Sequence, residues 1–284
     1  MNEHHHFAAY AESRLPHLGT YRRDLPVNLE RMYENTLDWE HLPHVHNSTF
    51  TAIECEDYGT WGWRARVQNH QGDWQLLELR LEKALHRWVT RTLEGRFVGS
   101  EIWTHAFSIS ERRIEVVIDF FIPGVSPEHR EKLRLAYSRV YQRLYDEDLS
   151  MMAQRQRQLD RRVESRKHAA QTLHLGRLDK LELPARVELL GREFLLVEDQ
   201  GELCCFPALC PHLLGPLAQG QRHQGVVECP WHGYRFDIRS GACVSGQNCR
   251  FAGPRPDIRI DPNSREVTLT LSGNNTAWQA RRIE

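Results

Sequence analysis

Nowhere do the 284 residues offer an apolar run long enough to cross a bilayer, and the opening MNEHHHFAAYAESR lacks the apolar core of a signal peptide. An excess of either charge is also missing. With 37 Lys and Arg against 38 Asp and Glu the formal net charge is −1, which removes the broad electrostatic case for nucleic acid or an anionic membrane as partner. The seven Cys lack the even spacing of a disulfide framework, as fits a reducing compartment. A soluble, cytoplasmic chain is the expectation. Its length suits one large or two ordinary domains, each able to bury a core. The run His4-His5-His6 reads as a short solvated terminus rather than as a metal site.

What the sequence does contain is a pair of half-motifs, Cys210-Pro-His212 in CPHLLGPL and Cys229-Pro-Trp-His232 in CPWHGYRFD. Structural zinc sites usually take C-x2-C or H-x3-H pairs, because both members must reach one ion. Here each half supplies one Cys and one His on a loop with Pro and Gly. That suits a cluster with an all-sulfur iron and an all-imidazole iron, the Rieske [2Fe–2S] type. The two stretches closely resemble the Rieske family. Some members in respiratory complexes add a Cys beside each half-motif, but Trp231 and Leu213-Leu214-Gly215 stand here, so that disulfide is excluded. Cys55, Cys204, Cys205, Cys243 and Cys249 are left outside the motifs.

A second metal motif lies in the first half. PVNLERMYENTLDWEHLPHVH, residues 26 to 46, predicts a helix that loosens near Pro43. Asp38 and His41 are three apart and would share one helical face. His46 lies five beyond His41, a spacing that only a break at Leu42-Pro43 can align. Two imidazoles with a distant carboxylate would make the facial triad of non-haem Fe(II) oxygenases. The block Glu34-Asn35-x-x-Asp38-x-x-His41-x-Pro43-x-x-His46 resembles the iron motif of Rieske oxygenase catalytic subunits, in its monooxygenase and demethylase form. The resemblance implies His41 and His46 as ligands of a mononuclear iron, Asp38 as the carboxylate linking His41 to the Rieske histidine His232, and Asn35 as a further catalytic candidate. His44 has a ligand-like spacing to His46, but a structural or surface role is expected for it.

From Thr49 to Ile122 the pattern has period two and predicts a meandering antiparallel sheet. Trp61, Trp63, Trp74, Trp88 and Trp103 could line a substrate pocket or simply pack across strands. His105 reads as a core or surface residue. Ser126, Pro127 and Glu128 give the chemistry of a helix start, and Leu133, Tyr137, Val140, Leu144 and Met151 follow a 3.6-residue period. Asp146 falls opposite this stripe, whereas Glu147 and Asp148 fall on its two margins, and periodicity does not separate them. The Glu-Asp pair resembles the segment with the family's third ligand, which implies Asp148. Sheet and helix together give the helix-grip, START-like shape that the resemblance implies, in an α+β chain.

The polar stretch 153 to 170 reads as a helix extension and linker. It divides a catalytic iron domain, 1–165, from an all-β Rieske domain, 166–284. Turns are expected at Gly191, at Gln200-Gly201 and at Asp261-Pro-Asn-Ser264. Two features depart from the family: Leu214 stands where Gly is usual, and the Rieske domain follows the iron motif instead of preceding it. The resemblance implies an oxygenase that uses O2 to hydroxylate or oxidatively demethylate a small organic substrate, with monooxygenation favoured over ring dioxygenation. It also implies a homo-oligomer, by analogy a trimer. No G-x-G-x-x-G pattern occurs, so NAD(P)H would serve only through a separate reductase or ferredoxin. The alternative is a ferredoxin-like electron carrier fused to a ligand- or partner-binding domain.

Overall fold

The computed structural model describes residue 13 and residues 15–164, 170–271 and 281–282. The histidine run at 4–6 and the expected boundary at 165–166 lie outside these. The chain divides into two compact units, Met1–Gln154 and Arg155–Glu284.

The first unit is one antiparallel sheet and a long helix. Strand β1 (His17–Leu25) is followed by helices α1 (Leu29–Leu37) and α2 (Leu42–Val45). Then come β2 (Ala52–Gly59), β3 (Gly62–Gln68), β4 (Trp74–Glu82), β5 (Arg87–Glu94), β6 (Glu101–Ser110) and β7 (Arg113–Phe121). Helix α3 (Pro127–Glu164) ends the series. The sheet order is β1-β7-β6-β5-β4-β3-β2. Six of its strands fall where the period-two pattern predicts them. The seventh, β1, does not: HLGTYRRDL carries Arg22 and Arg23 in its middle, and its place is set by pairing with β7 through contacts such as Thr20↔Asp119.

Alternation along β7 fixes the core. Ile114, Val116, Ile118 and Phe120 face one way and belong to the main buried cluster, which α3 covers. Phe121 packs on the opposite face with Val89 and Trp103. The helix meets the sheet through Leu133, Tyr137, Tyr141, Tyr145, Leu149 and Met152. Phe120 lies 5.2 Å from both Tyr137 and Tyr141, ring centroid to centroid. This i,i+4 row replaces part of the expected stripe, since Val140 is 40% exposed. Tyrosine is ambivalent on a hydropathy pattern, yet each ring here packs a large apolar body against the core. The tryptophans divide: Trp63 and Trp88 enter the main core, Trp103 packs on the outer face, and Trp74 is 38% exposed.

The second unit is all β after the end of α3. The hairpins expected at Gly191 and Gln200-Gly201 join β9 (Ala185–Leu189), β10 (Arg192–Asp199) and β11 (Glu202–Pro207). At both turns two successive residues have positive φ, Leu190-Gly191 and Gln200-Gly201, the conformation that matches the twist of the strands it joins. A second sheet pairs β8 (Thr172–Arg177) with β16 (Glu266–Leu271), which turns back from β15 (Pro256–Ile260) through Asp261–Ser264. Short strands β12 (Arg222–His223), β13 (Val226–Glu228) and β14 (Arg235–Asp237) form a third sheet.

Candidate metal centres

In the first unit the predicted single helix over 26–46 is two helices. Asn28 caps α1 by accepting from the Arg31 amide at 2.8 Å. The helix ends at Asp38, whose backbone (φ −86°, ψ 85°) leaves the helical region well before Pro43. Asp38 and His41 therefore do not share a continuous helical face. Pro43 occupies the first turn of α2, where its missing N–H costs no hydrogen bond. It starts a new helix instead of loosening the old one. His41 and His46 bracket that single turn as its N-cap and C-cap residues. This is how a spacing of five brings two imidazoles together, with Nε2 to Nε2 at 3.2 Å.

The third group comes from α3. Asp148 Oδ1 lies 3.4 Å from His41 Nε2 and 3.0 Å from His46 Nε2. All three residues are buried, and they form one cluster able to share an ion. Donors at these separations suit a common ion with bonds of about 2.1 Å, and their mix of two imidazoles and a carboxylate suits iron. A further sign is that Asp148 Oδ1, although buried, accepts no well-formed hydrogen bond among the described residues. A buried carboxylate oxygen without a donor is costly unless a cation completes it. The chemistry of the set and this oxygen both fit a mononuclear iron.

Electrostatics agree. Burial alone would lower His41, but Asp148 and Asp38 on its two sides raise it to about 10. Burial alone would raise Asp148, but His46 and His41 hold it well below the ordinary carboxylate range. The two acids that periodicity does not separate lie apart in space: Asp148 joins the cluster, whereas Glu147 bonds the outer nitrogen of His46 at 2.7 Å. Asp146 is exposed and pairs with Arg23 at 2.6 Å.

The other candidates separate clearly. Asp38 Oδ2 is 3.6 Å from His41 Nδ1, beyond hydrogen-bond length. Asn35 is buried one turn before Asp38, and its Oδ1 accepts no hydrogen bond among the described residues. His44 is partly exposed and outside the cluster, and His105 is buried on β6, stacked parallel to Phe107. Ser48, which holds Glu147 at 2.9 Å, carried no signal in the sequence.

In the second unit the two half-motifs form one repeated turn. The Cys210 amide donates to Gly215 O at 2.8 Å, and Cys210 O accepts from the Leu214 amide at 3.0 Å. The same pattern links Cys229 to Tyr234 at 2.8 Å and to Gly233 at 2.9 Å. The equivalent positions Leu214 and Gly233 both take positive φ, 65° and 66°. The unusual Leu214 thus occupies a site whose counterpart is Gly.

Leu214 is 3% exposed, so its side chain is also packed. Leu214→Gly would gain about 1 kcal/mol from relieved backbone strain but lose about 3 kcal/mol of packing. A net loss of about 2 kcal/mol is expected, measurable by urea unfolding of the cluster-loaded chain.

Each loop brings one thiol and one imidazole to the same place. Cys210 and Cys229 are 0% and 1% exposed, and the His212 and His232 rings meet edge to face at 4.5 Å. Tyr234, within the second motif but not assigned from sequence, stacks on His212 at 4.7 Å. Cys210's S–H pulls Cys229 below the usual thiol range despite burial, with help from His232. The same contact, with burial, pushes Cys210 up. A thiolate is therefore already favoured at Cys229, as a metal ligand requires. Gly215 completes the cradle, since a Cβ there would stand 2.7 Å from Cys229 Sγ and 3.1 Å from the Trp231 ring. Donor set and cradle fit a [2Fe–2S] cluster held by Cys210, His212, Cys229 and His232.

Comparison with known proteins agrees for this unit. Residues 170–252 match the Rieske [2Fe-2S] domain family. Apoptosis-inducing factor 3 of Homo sapiens is 46% identical over 55 residues, 19% of this chain and 9% of that protein. The chloroplastic pheophorbide a oxygenase of Oryza sativa subsp. japonica is 35% identical over 102 residues, 34% of this chain and 19% of that one. The oxygenase component of chloroacetanilide N-alkylformylase from Rhizorhabdus wittichii is 36% identical over 72 residues, 25% of this chain and 20% of that one. The matches thus span a fifth or less of these relatives' lengths. Among the described residues no helix is long and apolar enough to cross a membrane. Residues 170–252 are therefore a Rieske [2Fe–2S] domain, which this chain carries C-terminal to the residues that gather His41, His46 and Asp148.

Proposed function

We propose that the chain is a Rieske oxygenase that uses O2 and externally supplied electrons to hydroxylate or oxidatively demethylate an organic substrate, a monooxygenase rather than a ring dioxygenase. One observation carries this reading: His41, His46 and Asp148 converge in the same chain as a Rieske domain. Two of the relatives are named as oxygenases, which supports it. The E-N-x-x-D-x-x-H-x-P block supports the monooxygenase and demethylase branch.

In this reading 1–165 is the catalytic domain and 166–284 the Rieske domain. His41, His46 and Asp148 would hold the mononuclear iron, and Cys210, His212, Cys229 and His232 the cluster. Bound there, the iron would supply O2 binding and reduction, and the cluster would supply electrons one at a time. The chain's own residues prepare the site. Asp148 sets a fixed negative charge against both imidazoles, at 3.4 Å and 3.0 Å. Asp38, 3.6 Å from His41, is the proposed carboxylate through which an electron enters, with Asn35 buried one turn away. The Tyr137, Tyr141 and Tyr145 row packs α3 against the sheet, and Asp148 is itself buried on the same helix. Reducing power would come from a separate ferredoxin or NAD(P)H-dependent reductase.

Iron analysis after anaerobic reconstitution tests the proposal. An oxygenase should hold a third iron beyond the two of the cluster. A fully loaded chain with cluster iron alone would sink the reading and favour an electron carrier.

A further inference from the structure

We infer that Glu147 is a positioning residue that holds the His46 ring so that Nε2 points at the mononuclear iron; this rests on the reading of His41, His46 and Asp148 as iron ligands. Both Glu147 oxygens are engaged. Oε2 accepts from His46 Nδ1 at 2.7 Å, and Oε1 accepts from the Ser48 hydroxyl at 2.9 Å. A carboxylate held at both oxygens has a fixed orientation, and it fixes the imidazole in turn. With its proton on Nδ1, His46 must present the Nε2 lone pair, and Nε2 is the atom that faces Asp148 at 3.0 Å and His41 at 3.2 Å.

The arrangement comes from adjacent residues on one helix. Glu147 and Asp148 project about 100° apart, so they reach opposite nitrogens of the same ring. A single turn of α3 therefore sets both a metal ligand and the brace behind its neighbour. The two imidazoles are not treated alike. His41 has its carboxylate at 3.6 Å, too long for a hydrogen bond, whereas His46 is held at 2.7 Å. His46 is therefore the imidazole with a short carboxylate brace on its outer nitrogen. With its side chain 23% exposed, Glu147 stands at the edge of the site, where a substitution does not open the core.

Anaerobic Fe(II) titration of cluster-loaded protein that lacks only the mononuclear iron tests this, with the EPR spectrum of the Fe(II) nitrosyl adduct as a second readout. Glu147→Ala should bind Fe(II) about 10- to 100-fold more weakly and change the rhombicity of the nitrosyl signal. Glu147→Gln can still accept a hydrogen bond from Nδ1–H through its amide oxygen, so it should keep the wild-type signal shape with a smaller loss. Should Glu147→Ala fail to fold, Ser48→Ala frees the same carboxylate from its other side and should cost about twofold to fivefold in affinity. Exposed Asp146→Ala should change neither readout. Wild-type affinity and signal shape in Glu147→Ala, or in Ser48→Ala where it stands in, would overturn the inference alone. Failure of wild-type protein to take up the iron would overturn the oxygenase reading itself.

Discussion

Asp148→Ala is expected to cost the chain its mononuclear iron and to lower product formation roughly a thousandfold, the several kcal/mol that a bound metal supplies to such a reaction. The cluster's visible absorption and EPR signal should persist, because its ligands lie in the other unit. The metal-free protein explains the size of the effect. Two buried imidazoles and a carboxylate within 3.4 Å of one another need a positive charge, and without an ion a proton supplies it. Despite burial, Asp148 and Asp38 beside it raise His41 to about 10, so His41 can carry that proton at neutral pH.

The sign of the pH effect follows. A His with a raised folded pKa adds stability that is fully present below its unfolded value of about 6.5 and is lost as pH rises through about 10. Asp148, depressed, adds stability above its unfolded value of about 3.9 that is lost as pH falls toward its folded one. Iron binding must expel the His41 proton throughout the neutral range. The apparent affinity should therefore rise about tenfold per pH unit between pH 6 and 8. Fe(II) titrations across that range check the slope. A flat dependence would mean that His41 binds without releasing a proton. In the metal-free state Asp148→Ala should also lower stability by about 3 kcal/mol, since it leaves a buried protonated imidazole without its nearest acid.

Much of this was legible in the sequence, for identifiable reasons. The Rieske loops were, because two Cys and two His in two short half-motifs leave little freedom of assignment. The strands β2 to β7 were, because alternation of period two reports directly which face is buried. What local pattern could not carry was anything decided by a distant partner. Strand β1 has a polar middle and is fixed by β7, nearly a hundred residues away, as the Thr20↔Asp119 pair illustrates. The break at Asp38 has no local signal, because a Pro near a helix end equally suits the loosening of one helix and the first turn of the next, which is its place here. Glu147 and Asp148 sat on two margins of one stripe. Their roles separated only when the nitrogens of His46, a hundred residues earlier, took up opposite sides. Leu214 was a sequence oddity whose meaning is conformational: it adopts the same left-handed backbone as Gly233 in the matching loop.

Gly215→Ala should have the complementary effect, abolishing the cluster while sparing the mononuclear site. Gly215 is not kept for a left-handed backbone; its need is for space. An added methyl carbon would sit 2.7 Å from Cys229 Sγ and 3.1 Å from the Trp231 ring, closer than unbonded atoms tolerate. Neither neighbour can yield easily. Cys229 is tied through its amide to Tyr234 O at 2.8 Å, and Trp231 is only 7% exposed in the same loop. The methyl group would therefore displace the Cys229 sulfur, the proposed iron ligand. A misplacement of several tenths of an ångström exceeds what metal–sulfur bonds tolerate. The expected protein is folded and colourless, lacks the Rieske EPR signal, and still binds Fe(II) with wild-type affinity at His41, His46 and Asp148. Overpacking should cost about 1–3 kcal/mol of stability, small beside the loss of the cluster and of all electron supply. A red-brown Gly215→Ala protein with an unchanged signal would show that the loop has slack the geometry does not reveal. Paired with Asp148→Ala, the variant gives a clean separation: each removes one iron centre and leaves the other loaded. Turnover should fall at least about a thousandfold in both, because an oxygenase needs each centre, whereas an electron carrier would lose its function only in Gly215→Ala.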